Sequence, residues 1–184
     1  MRYKIGPLST EIPLKNDQID ISEIELDLES RDQIPQILLS LQYLYKDKVL
    51  LEQVLALIEH DIILSPGIRA DTGRIGMSFW NILVCGVLRL NNGWDYDHLE
   101  NMVNSHREIR QMLGYGSWDD SSRLKRKTLI NNLSLLSEET LSKINELIVK
   151  AGHRFLKIEE TELKTRVDSF VLESNVHHPT DSNL

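Results

Sequence analysis

Cysteine is nearly absent from this chain. Cys85 stands alone, which excludes an internal disulfide and any zinc site built from clustered cysteines. Long apolar runs are missing too: stretches such as residues 82–90 fall far short of the roughly 20 residues that a membrane-spanning helix needs. The amino terminus lacks the basic-then-apolar pattern of a secretory signal, because acidic residues follow closely on Arg2 and Lys4. A cytoplasmic protein with no membrane partner is what remains. An overall excess of positive charge is also lacking. The net charge of −7 excludes a protein whose whole surface grips nucleic acid, though not one with a local basic face.

That distinction matters because the charge is unevenly spread. Residues 1–30 hold seven acids (Glu11, Asp17, Asp20, Glu23, Glu25, Asp27, Glu29) against three bases (Arg2, Lys4, Lys15). Residues 105–127 hold six bases (Arg107, Arg110, Arg123, Lys125, Arg126, Lys127) against three acids (Glu108, Asp119, Asp120). A hydrophobic share of 41% and a charged share of 27% are those of an ordinary globular chain, so most of it is expected to fold.

Residues 1–29, with scattered Pro, Gly, Asn and Asp and no helical period, read as an irregular arm. Helical order begins at Ser30 or Asp32, either of which can cap a first helix with Pro35 tolerated in its first turn. Ile34, Ile37, Leu38, Leu41 and Leu44 then make one apolar stripe. A second helix carries Leu50, Leu51, Val54, Leu55, Ile58 and Ile62, and Pro66-Gly67 stops it. A third, from about Met77 to Asn91, is apolar nearly all round and belongs in the middle of a bundle, with Cys85 as a core thiol, Trp80 in the core and Gly86 allowing close approach of a neighbour. Asn91-Asn92-Gly93 ends it. Two short helices follow, started by Asp97 with Glu100 and by a Ser105–Glu108 capping box. Leu99, Met102 and Val103 face inward from the first, Ile109, Met112 and Leu113 from the second, and Gly114 is a natural stop. Trp94 and Trp118 border loops. After a polar loop comes a short helix with Leu129, Ile130 and Leu133. A long helix capped by Ser137 then carries Leu141, Ile144, Ile148, Ala151 and Phe155 on one face, with Lys150 and Arg154 near its end. Beyond Lys157 the character changes, and residues 163–176 read as a strand. A single strand has no sheet partner, so the sequence reads as a chain that ends inside a second domain.

Three blocks carry a family likeness: SRDQIPQILLSLQYLY (residues 30–45), TGRIGMSFWNILVCGVLRLNNGWDYDHLENMVNSHREIRQMLG (72–114), and KTLINNLSLLSEETLSKINELIVKAGH (127–153) followed by RVDSFVLESNVHHPTDSNL (166–184). In order and spacing they resemble the insertion-sequence DDE transposases of the ISNCY-like type, in their N-terminal portion. The resemblance implies a mainly α fold: a helical DNA-binding domain over residues 30–157 with a helix-turn-helix-like pair, then, over 158–184, the first β-strand of an incomplete RNase H-like catalytic domain. It implies Mg²⁺ as cofactor, held by three carboxylates, and attack by water or a 3′-hydroxyl on a DNA phosphodiester. Asp168 matches the first of those carboxylates, and is thereby both a catalytic and a metal-ligating candidate. The second Asp and the Glu have no counterpart in these residues, so strand cleavage by this chain itself is not expected. The implied partners are the terminal inverted repeats of a transposon and, further, a second copy of the chain or a full-length transposase.

The residues also admit plainer readings. Asp168 alone reads as an acid at a strand edge. His177 and His178 are adjacent on an extended chain and point to opposite faces, so they are poor co-ligands for one ion, and Asp181 sits in a polar turn. Arg107 and Arg110 lie where a recognition helix is expected, against the alternative of a solvated face. Arg123, Lys125, Arg126 and Lys127 are the denser phosphate-contact candidates. Two other functions stand beside that of a transposase: a non-catalytic, repressor-like DNA-binding product, and a remnant with no function.

Overall fold

The computed structural model describes residues 2–5, 18–64, 76–116 and 123–155. Among them are seven α-helices and no strand: α1 (Ile34–Lys46), α2 (Lys48–Leu64), α3 (Phe79–Asn92), α4 (Tyr96–Ser105), α5 (Arg107–Met112), α6 (Arg126–Leu133) and α7 (Glu138–Phe155), preceded by a 3₁₀ turn at Ile21–Glu23. The strand expected at 163–176, the loop around Pro66-Gly67 and the side chains of Arg154 and Phe155 lie outside the described residues.

The apolar periodicities translate directly into packing. All six positions read for α2 are buried, and α3 buries nine of its residues, Phe79 through Gly86 and Leu88. α3 therefore runs through the middle, touching α1, α2, α4 and α6. Trp80 has 0% exposure, donates its indole N–H to Met112 O at 2.8 Å and meets the Tyr45 ring edge-on with centroids 5.4 Å apart. One side chain thus ties α1, α3 and α5 together. Burial drives the Cys85 thiol far above its ordinary range, as befits an inert core sulfur.

The first four N–H groups of a helix have no partner within it. At α3 the shortfall is met by residues more than 70 positions earlier: Phe79 N–H donates to Tyr3 O (3.1 Å) and Trp80 N–H to Lys4 O (2.9 Å), while Ser78 Oγ accepts from Asn81 N–H. Arg2 fastens this arm, donating from Nη1 to Met77 O at 3.1 Å and to Asn132 Oδ1 on α6. Residues 18–29 are also built in, since Ile21 and Ile24 are buried and buried Gln42 on α1 donates from Nε2 to both Ile21 O (2.9 Å) and Ile24 O (2.8 Å). The described parts of the expected arm belong to the helical body. Gln42→Ala deprives two carbonyls of their donor, at about 1–3 kcal/mol each if water cannot replace it. The expected result is a loss of about 2 kcal/mol, because the 3₁₀ turn lies near the surface and can open. Hydrogen exchange should show the amides around residue 23 losing protection first.

Several helix starts differ from those read in the sequence. Gln33 is the residue before α1 and caps with no side chain; Asp32 instead accepts from Ile34 N–H and Ser30 from Asp32 N–H. α4 starts two residues earlier than expected, capped by Asp95, whose carboxylate accepts from His98 N–H at 2.7 Å. The Ser105–Glu108 capping box does not form. α4 runs through Ser105, whose hydroxyl donates back to Asn101 O at 2.6 Å, and α5 begins after His106 without a side-chain cap. The stop at Gly114 is as expected. With φ of 78° it lets Gly114 N–H reach Gln111 O and Tyr115 N–H reach Arg110 O, the double closure of a Schellman turn.

Gly86 makes no especially close approach. A Cβ there meets Leu136 Cδ1 at 3.7 Å and Leu133 Cδ2 at 3.9 Å, ordinary contact distances. Gly86→Ala should therefore stabilise the fold by about 0.5–1 kcal/mol through helix propensity, seen as a higher urea midpoint.

α7 packs back along α2, and its start is fixed to the end of that helix. Asp61 Oδ2 accepts from Ser137 N–H (2.8 Å) and Ser137 Oγ (2.9 Å), while Ser137 Oγ caps Thr140 N–H. Burial pulls the Asp61 carboxyl upward, but the hydrogen bonds from Ser137 and Thr140 outweigh it and leave the group below its ordinary value. A depressed carboxyl contributes stability above its unfolded-state pKa that is lost as pH falls through the folded value. Stability should decline on acidification below about pH 4, and Asp61→Asn should flatten that part of the profile while lowering stability at neutral pH.

Candidate nucleic-acid interface

The basic residues of 105–127 come from two segments that the fold draws to one corner. Asn104, near the end of α4, donates from Nδ2 to Leu124 O at 2.8 Å and accepts from Leu124 N–H through Oδ1 at 2.9 Å. This two-way clasp pins the segment entering α6 against the α4–α5 joint. It brings Arg123 and Lys125, its immediate neighbours, beside the helix that Arg107 opens. A second link joins Arg126 Nη1 to Asp97 Oδ1 at 3.2 Å. Both partners are exposed, so this pair contributes little to stability, and α6 is held against α4 mainly by packing.

Arg107, Arg123, Lys125, Arg126 and Lys127 are all exposed. Arg110 is not: it is 4% exposed, donates from Nε to Gly116 O at 3.2 Å and lies 5.9 Å from the Tyr115 ring centroid. Its place in the fold is to brace the turn after α5 from inside, so it presents nothing to a phosphate. The helix around it is similarly withdrawn. α5 has six residues, of which Ile109, Arg110, Gln111 and Met112 are buried. The second member of the expected helix-turn-helix-like pair therefore lacks the exposed face by which a recognition helix reads a groove.

α6 starts in an electrostatically unusual way. Lys125 occupies its N-cap position and supplies no side-chain acceptor, and no acid lies in the first turn. A helix N-terminus carries partial positive charge and favours anions, so Lys125, Arg126 and Lys127 stand where Asp or Glu is normally stabilising. Asp97 offsets one of the three charges. The partial positive charge of this helix end and its side-chain cations both favour an anion placed there.

Nearby, His106 Nδ1 lies 3.0 Å from Glu108 Oε2 without hydrogen-bonding geometry. The Trp94 ring rests against His98 with centroids 4.9 Å apart, so Trp94 borders the turn before α4 as expected. Asp168, His177, His178, Asp181 and Trp118 lie outside the described residues. Among the described residues no group of three or more His, Cys, Asp or Glu could hold a metal ion. No helix among them is long and apolar enough to cross a membrane. Comparison with known proteins finds no family, no curated protein and no solved structure that matches the chain.

The residue that organises this corner, Asn104, carries no sequence signal. Its two bonds join positions 20 residues apart, and neither periodicity nor capping rules single it out.

Proposed function

We propose that the helical domain is a DNA-binding module that holds the phosphate backbone through Arg107, Arg123, Lys125, Arg126 and Lys127, and that its natural target is the terminal repeat of a transposable element. The target rests on the resemblance of residues 30–45, 72–114, 127–153 and 166–184 to insertion-sequence transposases; Asp168, as the first carboxylate of a Mg²⁺-dependent strand-transfer centre, belongs to the same reading. The binding role rests chiefly on the start of α6, an uncapped helix N-terminus occupied by bases instead of acids. Such a start costs folding stability and favours a phosphate. An overall charge of −7 is compatible with DNA contact through a local basic corner.

The test is anisotropy of a labelled random-sequence DNA duplex between about 50 and 200 mM salt. Each phosphate neutralised contributes about −0.9 to the slope of log K against log salt, so five bases give about −4 to −5. Duplexes carrying terminal inverted repeats should bind more tightly than random ones. Absence of salt-dependent binding at the low end of that range contradicts the proposal.

A further inference from the structure

We propose that α6, and not α5, is the helix that enters the major groove, with Asn131 reading a base edge. The inference rests on the DNA-binding reading above and adds to it the element and the residue that give sequence preference.

Burial leaves α5 no reading face. α6 is arranged differently. Its inward side carries Leu129, Asn132 and Leu133, all buried, against α3 and α4. Its outward side carries Lys127 and Asn131, continued by the C-cap residue Ser134, at i, i+4 and i+7, all exposed. That spacing places three polar side chains on one face, with no acid among them to repel phosphate. An α-helix with its side chains is about 10–12 Å across, which a major groove about 12 Å wide admits. An asparagine presents a donor and an acceptor together, which is the pattern that pairs with N6 and N7 of adenine. Lys127, one turn earlier, reaches a guanine edge or a flanking phosphate.

The back of α6 is held on three sides. Arg2 donates to Asn132 Oδ1, Asn104 clasps Leu124 and Asp97 pairs with Arg126. These contacts hold the backbone that carries Asn131, on which side-chain readout depends. α1 offers a comparable outer face in Gln36, Ser40 and Tyr43, all exposed. It is preceded by Asp27, Glu29 and Asp32, also exposed, whose charge opposes approach to a phosphate backbone. α6 is preceded by Arg123 and Lys125.

The experiment selects binding sites from a random duplex DNA pool with the full chain, then compares wild type, Asn131→Ala and Arg107→Ala on the selected duplex and on a scrambled one. Asn131 is exposed and alanine is the better helix former, so the variant folds. Asn131→Ala should lose roughly ten- to hundredfold of the preference for the selected duplex with an unchanged salt slope. Arg107→Ala should weaken both duplexes alike and lower the slope by about 1. Retention of the wild-type preference by Asn131→Ala overturns the inference while leaving the DNA-binding proposal intact. Tighter binding to single-stranded RNA than to duplex DNA overturns it as well. Absence of salt-dependent binding to any duplex removes both.

Discussion

Alanine in place of Trp80 is expected to cost about 3–5 kcal/mol of folding stability. The indole is buried at 0% exposure where α1, α3 and α5 meet, so its removal leaves a cavity among three helices. Truncation also strips Met112 O of its donor and the Tyr45 ring of its edge-on partner. Domains of this kind have about 5–15 kcal/mol in total, so the loss takes a large part of the margin. Urea unfolding followed by far-ultraviolet circular dichroism should show a much lower midpoint. Trp80→Phe separates the contributions, since it keeps most of the apolar contact and removes the hydrogen bond, for an expected loss of about 1–3 kcal/mol. A wild-type midpoint for Trp80→Ala contradicts the central place given to this side chain.

The second large effect concerns binding. Arg107, Lys125 and Lys127 replaced together by alanine should weaken duplex DNA binding by several hundredfold near 0.1 M salt, because each phosphate left without its cation removes about 0.9 log unit of affinity. The salt slope should fall by about 3. Folding stability should move the other way or not at all. All three side chains are exposed, and Lys125 and Lys127 oppose the dipole of α6, so their removal relieves a few tenths of a kcal/mol. Opposite signs for binding and stability distinguish a site held in place against its own electrostatics from a merely solvated surface. Equal binding by the triple variant and wild type disposes of the interface.

What was legible in the sequence was local. α2 contributes six buried residues, all readable because a 3.6-residue period is imprinted by a single helix facing a core. The stop at Gly114 was legible for the same reason, since a left-handed turn is a property of one residue. Ser105 shows where local signals mislead. A serine followed three residues later by glutamate suits a helix start, yet the same serine is tolerated in a last turn, where its hydroxyl bonds back to Asn101 O. Asp95, two residues ahead of the expected Asp97, had already claimed the cap. Arg110 was unreadable as a buried residue because its partner, Gly116 O, is placed by the Schellman turn and not by spacing. The clasp from Asn104 to Leu124 was silent because one half of it is backbone, which leaves no trace in side-chain identity.

The carbonyls of Tyr3 and Lys4 that satisfy the start of α3 have a consequence for synthesis on the ribosome. Arg2 and its acceptor at Met77 are separated by 75 residues, which take roughly 4–15 s to translate at about 5–20 residues per second. Through that interval residues 2–4 wait without their partners, while α1 and α2 emerge and associate. The central helix gains its full complement of backbone bonds only when these earlier-made residues fold back on much younger ones. Capture of this segment by a chaperone or protease would therefore compete directly with completion of the core.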